Sequence, residues 1–208
     1  MANYTIIIRS VFTIHFSHKL FYDNQRAWLM TANKASTGIS IQNPFTFYYV
    51  RDNGWNSTHS YQFWNKNFTT AATVNNTATL KTIYSPSPSG FVEPKTAAFT
   101  GFTSTGANSS SVSQFNVSGS YNRGWHFYTD GWKTGITVFF DALGFRDVYS
   151  GRSTGIGAVT EVNSSGYYWA NGTYSITNSR GLLFGPTVVY AQDGGFVSYG
   201  NSCRSVKE

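Results

Sequence analysis

The chain has 208 residues, 18% of them aromatic and only 12% charged, with a formal charge of +6. That length suits one sizeable core, and the aromatic, glycine-rich composition suits short strands joined by many turns. The fifteen basic residues are scattered, so no stripe tracks a phosphate backbone and no nucleic-acid partner is expected. A single cysteine, Cys203, excludes an internal disulfide framework and any multi-cysteine metal site. No run of apolar residues is long enough to span a membrane, so direct membrane insertion is not expected.

At the start, "YTIII" and "VFTIHF" read as strands, rich in β-branched and aromatic residues. Arg9 interrupts the apolar stretch and no basic n-region precedes it, a poor signal peptide. Either the protein does not cross a membrane by that route, or the chain is an excised domain lacking its signal. "DNQRAWLMTANKAS" is the best helical candidate, with Asp23 or Asn24 as N-cap. A strand is expected around Phe45 to Val50, followed by a turn at Asp52, Asn53 and Gly54. "IYSPSPSGFVEP" carries Pro86, Pro88, Gly90 and Pro94 and reads as a shaped loop. The polar, low-complexity stretch Thr103 to Ser113 reads as a flexible insertion. Short strands and glycine turns then alternate through "GWHFYTDGWKTGITVFFDALGFRD", "GYYWANGTYS", "GLLFGPTVVYA" and "GGFVSYGNSCRSVKE".

Residue types that carry chemistry are few. A glycosidase needs two facing carboxylates; Asp130, Asp141 and Asp147 are near in sequence, but turn and cap roles account for them. His15 and His18 point to opposite faces of an extended chain, so they do not form a zinc pair. No GxSxG motif or P-loop occurs, and Cys203 has no local histidine. No catalytic residue, metal site or cofactor is expected. "EPK" at Glu93 to Lys95 echoes the Glu-Pro-Asn calcium and sugar site of animal C-type lectins, but lysine replaces the asparagine and the matching Trp-Asn-Asp is missing.

Three later segments together resemble a bacterial family. "IYSPSPSGFVEP" is similar to the Pro-Cys-Pro-x-Gly-aromatic-x-Val-Pro signature of the Fibrobacter-type major paralogous domain. "VFFDALGFRD", then Gly151, Gly157 and "GYYW", is similar to its hydrophobic-Pro-Ala-x-Gly-Tyr-Arg and Gly-Tyr-Tyr-Trp signature, and "YGNSCRSVKE" to its closing Gly-x-Ser-Val-Arg-Cys-Val-Lys. The three cover about residues 83 to 208. The resemblance implies an α+β, C-type-lectin-like fold related to formylglycine-generating enzymes: a twisted antiparallel sheet, one or two helices and long ordered loops, in one domain spanning 1–208. Arg146 and Arg204 would tie loop carbonyls to the core. Ser87 and Ser205 stand where the family has cysteines, and Asp141 replaces its proline. The catalytic cysteine pair of formylglycine-generating enzymes is absent, so no oxidase activity follows.

The same C-terminal layout occurs in variable proteins of diversity-generating retroelements, whose hypervariable loops form a ligand-binding face. Randomised adenines in AAC or AAT codons never yield Lys, Glu, Gln, Met or Trp, and from Ala170 to Val206 these appear once, as Gln192. A diversified region at about 170–206 and an invariant domain of ordinary strand composition both fit this pattern. The expected scaffold is Gly166, Tyr167, Tyr168, Trp169, Leu182, Phe184, Ser202 and Arg204. The expected ligand-facing set is Asn171, Tyr174, Ile176, Asn178, Arg180, Tyr190, Gln192, Asp193, Phe196 and Tyr199, with the boundary near Ala170. Tyrosine combines a stacking face with a hydroxyl, as in antibody loops.

The expected function is therefore non-enzymatic binding of a protein or glycan on a target cell surface. Such a domain would be displayed outside the cell, on a cell surface, a pilus tip or a phage tail. The alternative is a carbohydrate-binding β-sandwich of a polysaccharide-degrading system, with a flat aromatic strip formed by Trp125, Tyr128 and Trp132. A glycoside hydrolase acting through Asp130 or Asp141 ranks third.

Overall fold

The computed structural model describes residues 27–29, 47–49, 61–62, 64–147, 158–175 and 177–208. The strands expected at the N-terminus, the turn at Asp52 to Gly54, and His15, His18 and His59 lie outside them. Among the described residues the architecture is sheet-rich and mostly antiparallel, with helical structure limited to short 3-10 turns such as Thr100–Phe102 and Val112–Gln114. No helix among them is long and apolar enough to cross a membrane.

The helix expected from Asp23 onward is corrected at its centre. Ala27–Leu29 (β1) is a strand that pairs in parallel with Phe47–Tyr49 (β2), setting Trp28 opposite Tyr48. Helix propensity is worth only tenths of a kcal/mol per residue, and a strand partner overrides it. The expected strand near Phe45 to Val50 is present as β2.

Phe91–Val92 (β3) emerges from the proline-rich loop. Val117–Ser118 (β4), Gly124–Tyr128 (β5) and Thr137–Asp141 (β6) form a three-stranded sheet in the order β4-β5-β6. Alternation decides which way β5 faces: Trp125 and Phe127 are buried while His126 is exposed. Phe145–Arg146 (β7) pairs with Val159–Thr160 (β8).

Gly166–Thr173 (β9), Ser179–Phe184 (β10) and Val189–Tyr190 (β11) form a second antiparallel sheet in the order β11-β10-β9, with a bulge between Ser179 and Gly181. At the C-terminus Val206–Lys207 (β12) pairs with β3.

Every residue of β9 is buried, because both faces and both edges are covered. Tyr168 and Ala170 point into the larger cluster, with Phe99, Phe102, Phe115, Trp125, Phe127, Phe140, Leu182 and Phe184. Tyr167 and Trp169 point the other way, into a second cluster with Phe145 and Tyr199. On the edge away from β10, Trp169 N donates to Ser202 O at 2.9 Å, Ser202 N to Tyr167 O at 2.9 Å, and Asn171 N to Pro94 O at 2.8 Å. The expected inward direction of Tyr167, Tyr168 and Trp169 holds, as does burial of Leu182, Phe184 and Ser202.

Gly144 requires its glycine twice over: φ is +68°, and a Cβ there would collide with the Thr160 carbonyl oxygen. Gly144 itself forms a parallel bridge to Gly166 and so seats the start of β9.

The polar stretch from Thr103 to Ser113 is tied down, which corrects its reading as a flexible insertion. Ser109 and Val189 exchange both backbone hydrogen bonds, at 2.8 and 2.9 Å, and Thr103 bridges to Phe115. Thr103 Oγ1 donates to Ala107 O at 2.7 Å, and Ser109 Oγ donates to Gln114 Oε1 at 2.7 Å. Side-chain hydroxyls here stand in for regular backbone partners.

The proline-rich loop and the C-terminal segment meet through two serines: Ser87 Oγ and Ser205 Oγ are 2.7 Å apart. Glu93, fully buried, accepts from Ser85 Oγ at 2.8 Å and from Ser87 N at 3.2 Å. The "EPK" carboxylate thus clamps the proline-rich loop. Burial pushes the neighbouring Cys203 thiol up to about 12.

Candidate ligand-facing platform

β9 ends at Thr173, and the chain reverses through 174–178 before β10. Tyr174 N and Ser175 N both donate to Asn178 O, at 3.1 and 3.3 Å. Ser175 Oγ accepts from Thr177 N at 3.2 Å and from Asn178 N at 2.9 Å, a serine turn that replaces missing backbone partners. Thr177 Oγ1 donates to Asn178 Oδ1 at 2.6 Å.

The segment after β11 is laced to this reversal. Ser179 N donates to Gly195 O at 2.9 Å, Val197 N to Thr177 O at 2.8 Å, and Asn178 bridges to Phe196. Asp193 Oδ1 accepts from Gly195 N at 3.2 Å, closing a turn in which Gly195 has φ +82°. Asn201 Nδ2 braces the same turn from within, donating to Gly194 O at 2.6 Å.

Arg180 sits at the centre. Its Nε donates to Ala72 O at 3.2 Å and its Nη1 to Gln192 O at 3.3 Å, while the guanidinium carbon lies 4.6 Å from the Tyr174 ring centroid. Partial burial raises the Tyr174 phenol above its ordinary range; Asp193 adds to that and Arg180 opposes it. Partial burial also lowers Arg180, with Tyr174 and Asp193 holding its charge in place. Gln192 carries the network to a third loop, donating from Nε2 to Gly106 O at 2.6 Å and from its backbone N–H to Asn108 Oδ1 at 3.2 Å.

Tyr174, Arg180, Gln192 and Asp193 therefore form one network, each half-buried, while half-buried Asn178 is tied into the reversal and half-buried Phe196 packs its ring against the second cluster, 5.3 Å from that of Tyr199. Tyr190 is half-buried on β11 opposite Leu183, which packs against the second cluster, and it makes none of the network's hydrogen bonds. Ile176 lies outside the described residues. Two members of the expected set are corrected. Asn171 is only 1% exposed, and its Nδ2 donates inward to Thr79 Oγ1 at 2.7 Å and Thr77 O at 3.3 Å. Tyr199 is 8% exposed, its ring 4.5 Å from that of Phe145. Because β9 is enclosed through Thr173, the boundary between frame and surface moves from Ala170 to Tyr174.

Ala72, Gly106 and Asn108 were absent from the expected set. They meet Arg180 and Gln192 across 108, 86 and 84 residues of chain, and no local pattern encodes such a pairing.

The rival sites take other forms. Trp125 is buried and donates its indole N–H to Gly185 O at 3.0 Å, so it cannot join Tyr128 and Trp132 in an exposed strip. Asp130 lies in the turn before β6, accepting from Ile136 N at 3.2 Å, while Asp141 ends the strand. Four strand steps already separate Thr137 from Asp141 by about 13 Å, more than the carboxylate separation of a glycosidase. Asp147 is fully buried. Burial raises the Asp141 carboxyl, with Arg204 opposing. Among the described residues no group of three or more His, Cys, Asp or Glu is placed to hold a metal ion.

The chain matches no family model, no curated protein and no solved structure.

Proposed function

We propose that the protein is a non-enzymatic ligand-binding domain with a C-type-lectin-like fold, displayed on a cell surface, a pilus tip or a virion. It recognises a protein or glycan through its C-terminal loops. One observation carries this reading: two loops, 174–180 and 190–197, are hydrogen-bonded to each other and stand on a strand enclosed on every side. A rigid frame beneath half-buried tyrosine, arginine, asparagine and phenylalanine is the arrangement that lets side chains change while the backbone holds.

Two contacts support the family resemblance. Ser87 and Ser205 touch at the positions of the family's cysteines, and Gly144 bridges to Gly166 between the two halves of one of its signatures. Gln192 fits a diversified region less well than its neighbours, since its side chain joins the platform to the Gly106 loop.

The test is binding of the full chain to arrays of glycans and surface proteins. A companion variant carries Tyr174→Ala, Arg180→Ala and Phe196→Ala. Saturable binding lost in that variant, with thermal unfolding kept cooperative, is the expected result. Binding that survives all three changes would overturn the assignment of the platform. The nucleotide sequence tests diversification separately: it requires a near-repeat of this 3′ end, differing at adenines and beside a reverse transcriptase.

A further inference from the structure

A cleft of about 870 Å3 lies apart from the platform, and none of Tyr174, Asn178, Arg180, Gln192, Asp193 or Phe196 lines it. Its volume falls in the range of small-molecule sites. The floor is aromatic: Phe102 and Phe140, both buried, meet edge to face with centroids 5.2 Å apart. The mouth is different, with Trp132 43% exposed and Asp130 beside it in the same turn. Lys133 Nζ lies 5.1 Å from the Trp132 ring centroid and adds a positive charge there.

Arg204 reaches the cleft from the C-terminal segment. Its guanidinium carbon sits 4.2 Å from the Phe140 ring centroid, and Nη1 donates to Phe139 O at 2.6 Å. Among the described residues that is its only hydrogen bond, although a guanidinium carries five N–H donors. Asp141 acts on Arg204 through its charge, without a hydrogen bond between them. A planar cation fixed in orientation by a ring and a carbonyl, with donors to spare, matches a carboxylate better than a lone hydroxyl.

We propose that this cleft binds a sugar acid of the uronate class. Arg204 takes the ligand carboxylate, Trp132 stacks on the apolar face of the sugar ring, and the Asp130 carboxylate accepts sugar hydroxyls. A neutral sugar leaves the guanidinium unmatched. An aromatic acid leaves Asp130 Oδ1 and the Ser104 hydroxyl at the exposed wall unmatched, since only Asp130 Oδ2 and Thr129 Oγ1 bond to Ile136.

The experiment is a two-dimensional NMR titration of the full chain with D-glucuronate and D-galacturonate, alongside glucose, glucuronate methyl ester and benzoate. At least one uronate is expected to shift the Trp132 indole and Arg204 side-chain signals saturably. Glucose and the ester are expected to bind about tenfold more weakly or worse, the usual cost of losing a charge-assisted pair, and benzoate, which keeps the carboxylate, more weakly for want of the ring hydroxyls. Trp132→Ala and Arg204→Lys should each weaken the uronate. If Arg204→Lys fails to fold, Trp132→Ala and Asp130→Asn, both on an exposed turn, carry the test. The proposal is overturned if neither uronate saturates, if glucose or benzoate binds as tightly, or if Trp132→Ala leaves the affinity unchanged. Tyr174→Ala on the platform should leave uronate binding intact, so the two sites stand or fall independently.

Discussion

Gly166–Thr173 and the reversal at 174–178 are consecutive in the chain and similar in composition, with tyrosine, asparagine and small hydroxyl residues in both. All eight residues of the first are buried, and the described residues of the second are half-buried. The difference lies in what surrounds them. β9 has β10 on one edge, 200–203 and Pro94 on the other, and an aromatic cluster against each face. The reversal has partners mainly on one side, in the segment 192–197. Residue type alone does not separate frame from surface here; enclosure does.

The largest effect that sharpens this contrast should come from the frame. Phe184→Ala removes a fully buried ring that contacts Phe127 and Tyr168. It should cost about 3–5 kcal/mol by thermal or denaturant unfolding. A loss below 1 kcal/mol, as at a surface site, would break the distinction between frame and platform.

Next comes the clamp between the proline-rich loop and the C-terminus. In a Cys203→Ala background, Ser87→Cys with Ser205→Cys should oxidise to a disulfide, because the two hydroxyls are already 2.7 Å apart. The gain should be about 2–4 kcal/mol and should vanish on reduction. Two thiols that remain titratable after oxidation would show that this end of the frame is less fixed than β9.

Alkaline pH probes the same region more gently. The Cys203 thiol ionises near 9.0 when unfolded and about 12 in the fold, raised by burial first and Glu93 second. A raised folded value means that the stabilisation is complete below about pH 9 and is lost as pH climbs toward 12. Wild type should therefore lose stability faster than Cys203→Ala in that window, by up to about 1.4 kcal/mol per pH unit. Parallel curves for the two proteins would mean that the thiol is accessible to water.

The smallest stability effect should come from the platform. Tyr174→Ala, which removes the ring under Arg180, should cost no more than about 1 kcal/mol while weakening ligand binding in the array experiment. A large loss of stability would place Tyr174 in the frame and move the boundary beyond it.

Several features of this division were legible in the sequence. Aromatic-rich runs between glycine turns, such as "GWHFY" and "GYYW", predict short strands, and the family resemblance predicts inward rings at Tyr167, Tyr168 and Trp169. Proline and glycine in "IYSPSPSGFVEP" rule out a regular helix interior. Ala27–Leu29 was misread because a short apolar segment carries both helical and strand potential, and its partner lies twenty residues away in β2. Asn171 was misplaced because an asparagine among strand residues looks solvated until Thr77 and Thr79 arrive from another part of the chain.

By itself the sequence determined the class of structure: short strands, many turns, no disulfide framework, and a C-terminal stretch almost without Lys, Glu, Gln, Met or Trp. These follow from local sterics and composition, which each residue carries wherever it is placed. Only the tertiary structure decided which rings and amides face outward. Exposure belongs to the neighbours: β9 is sealed by strands and loops drawn from across the chain, and Arg180 joins Tyr174 to Ala72 across 108 residues. Such pairings depend on how distant segments pack, and their geometry appears only once the whole sheet is assembled.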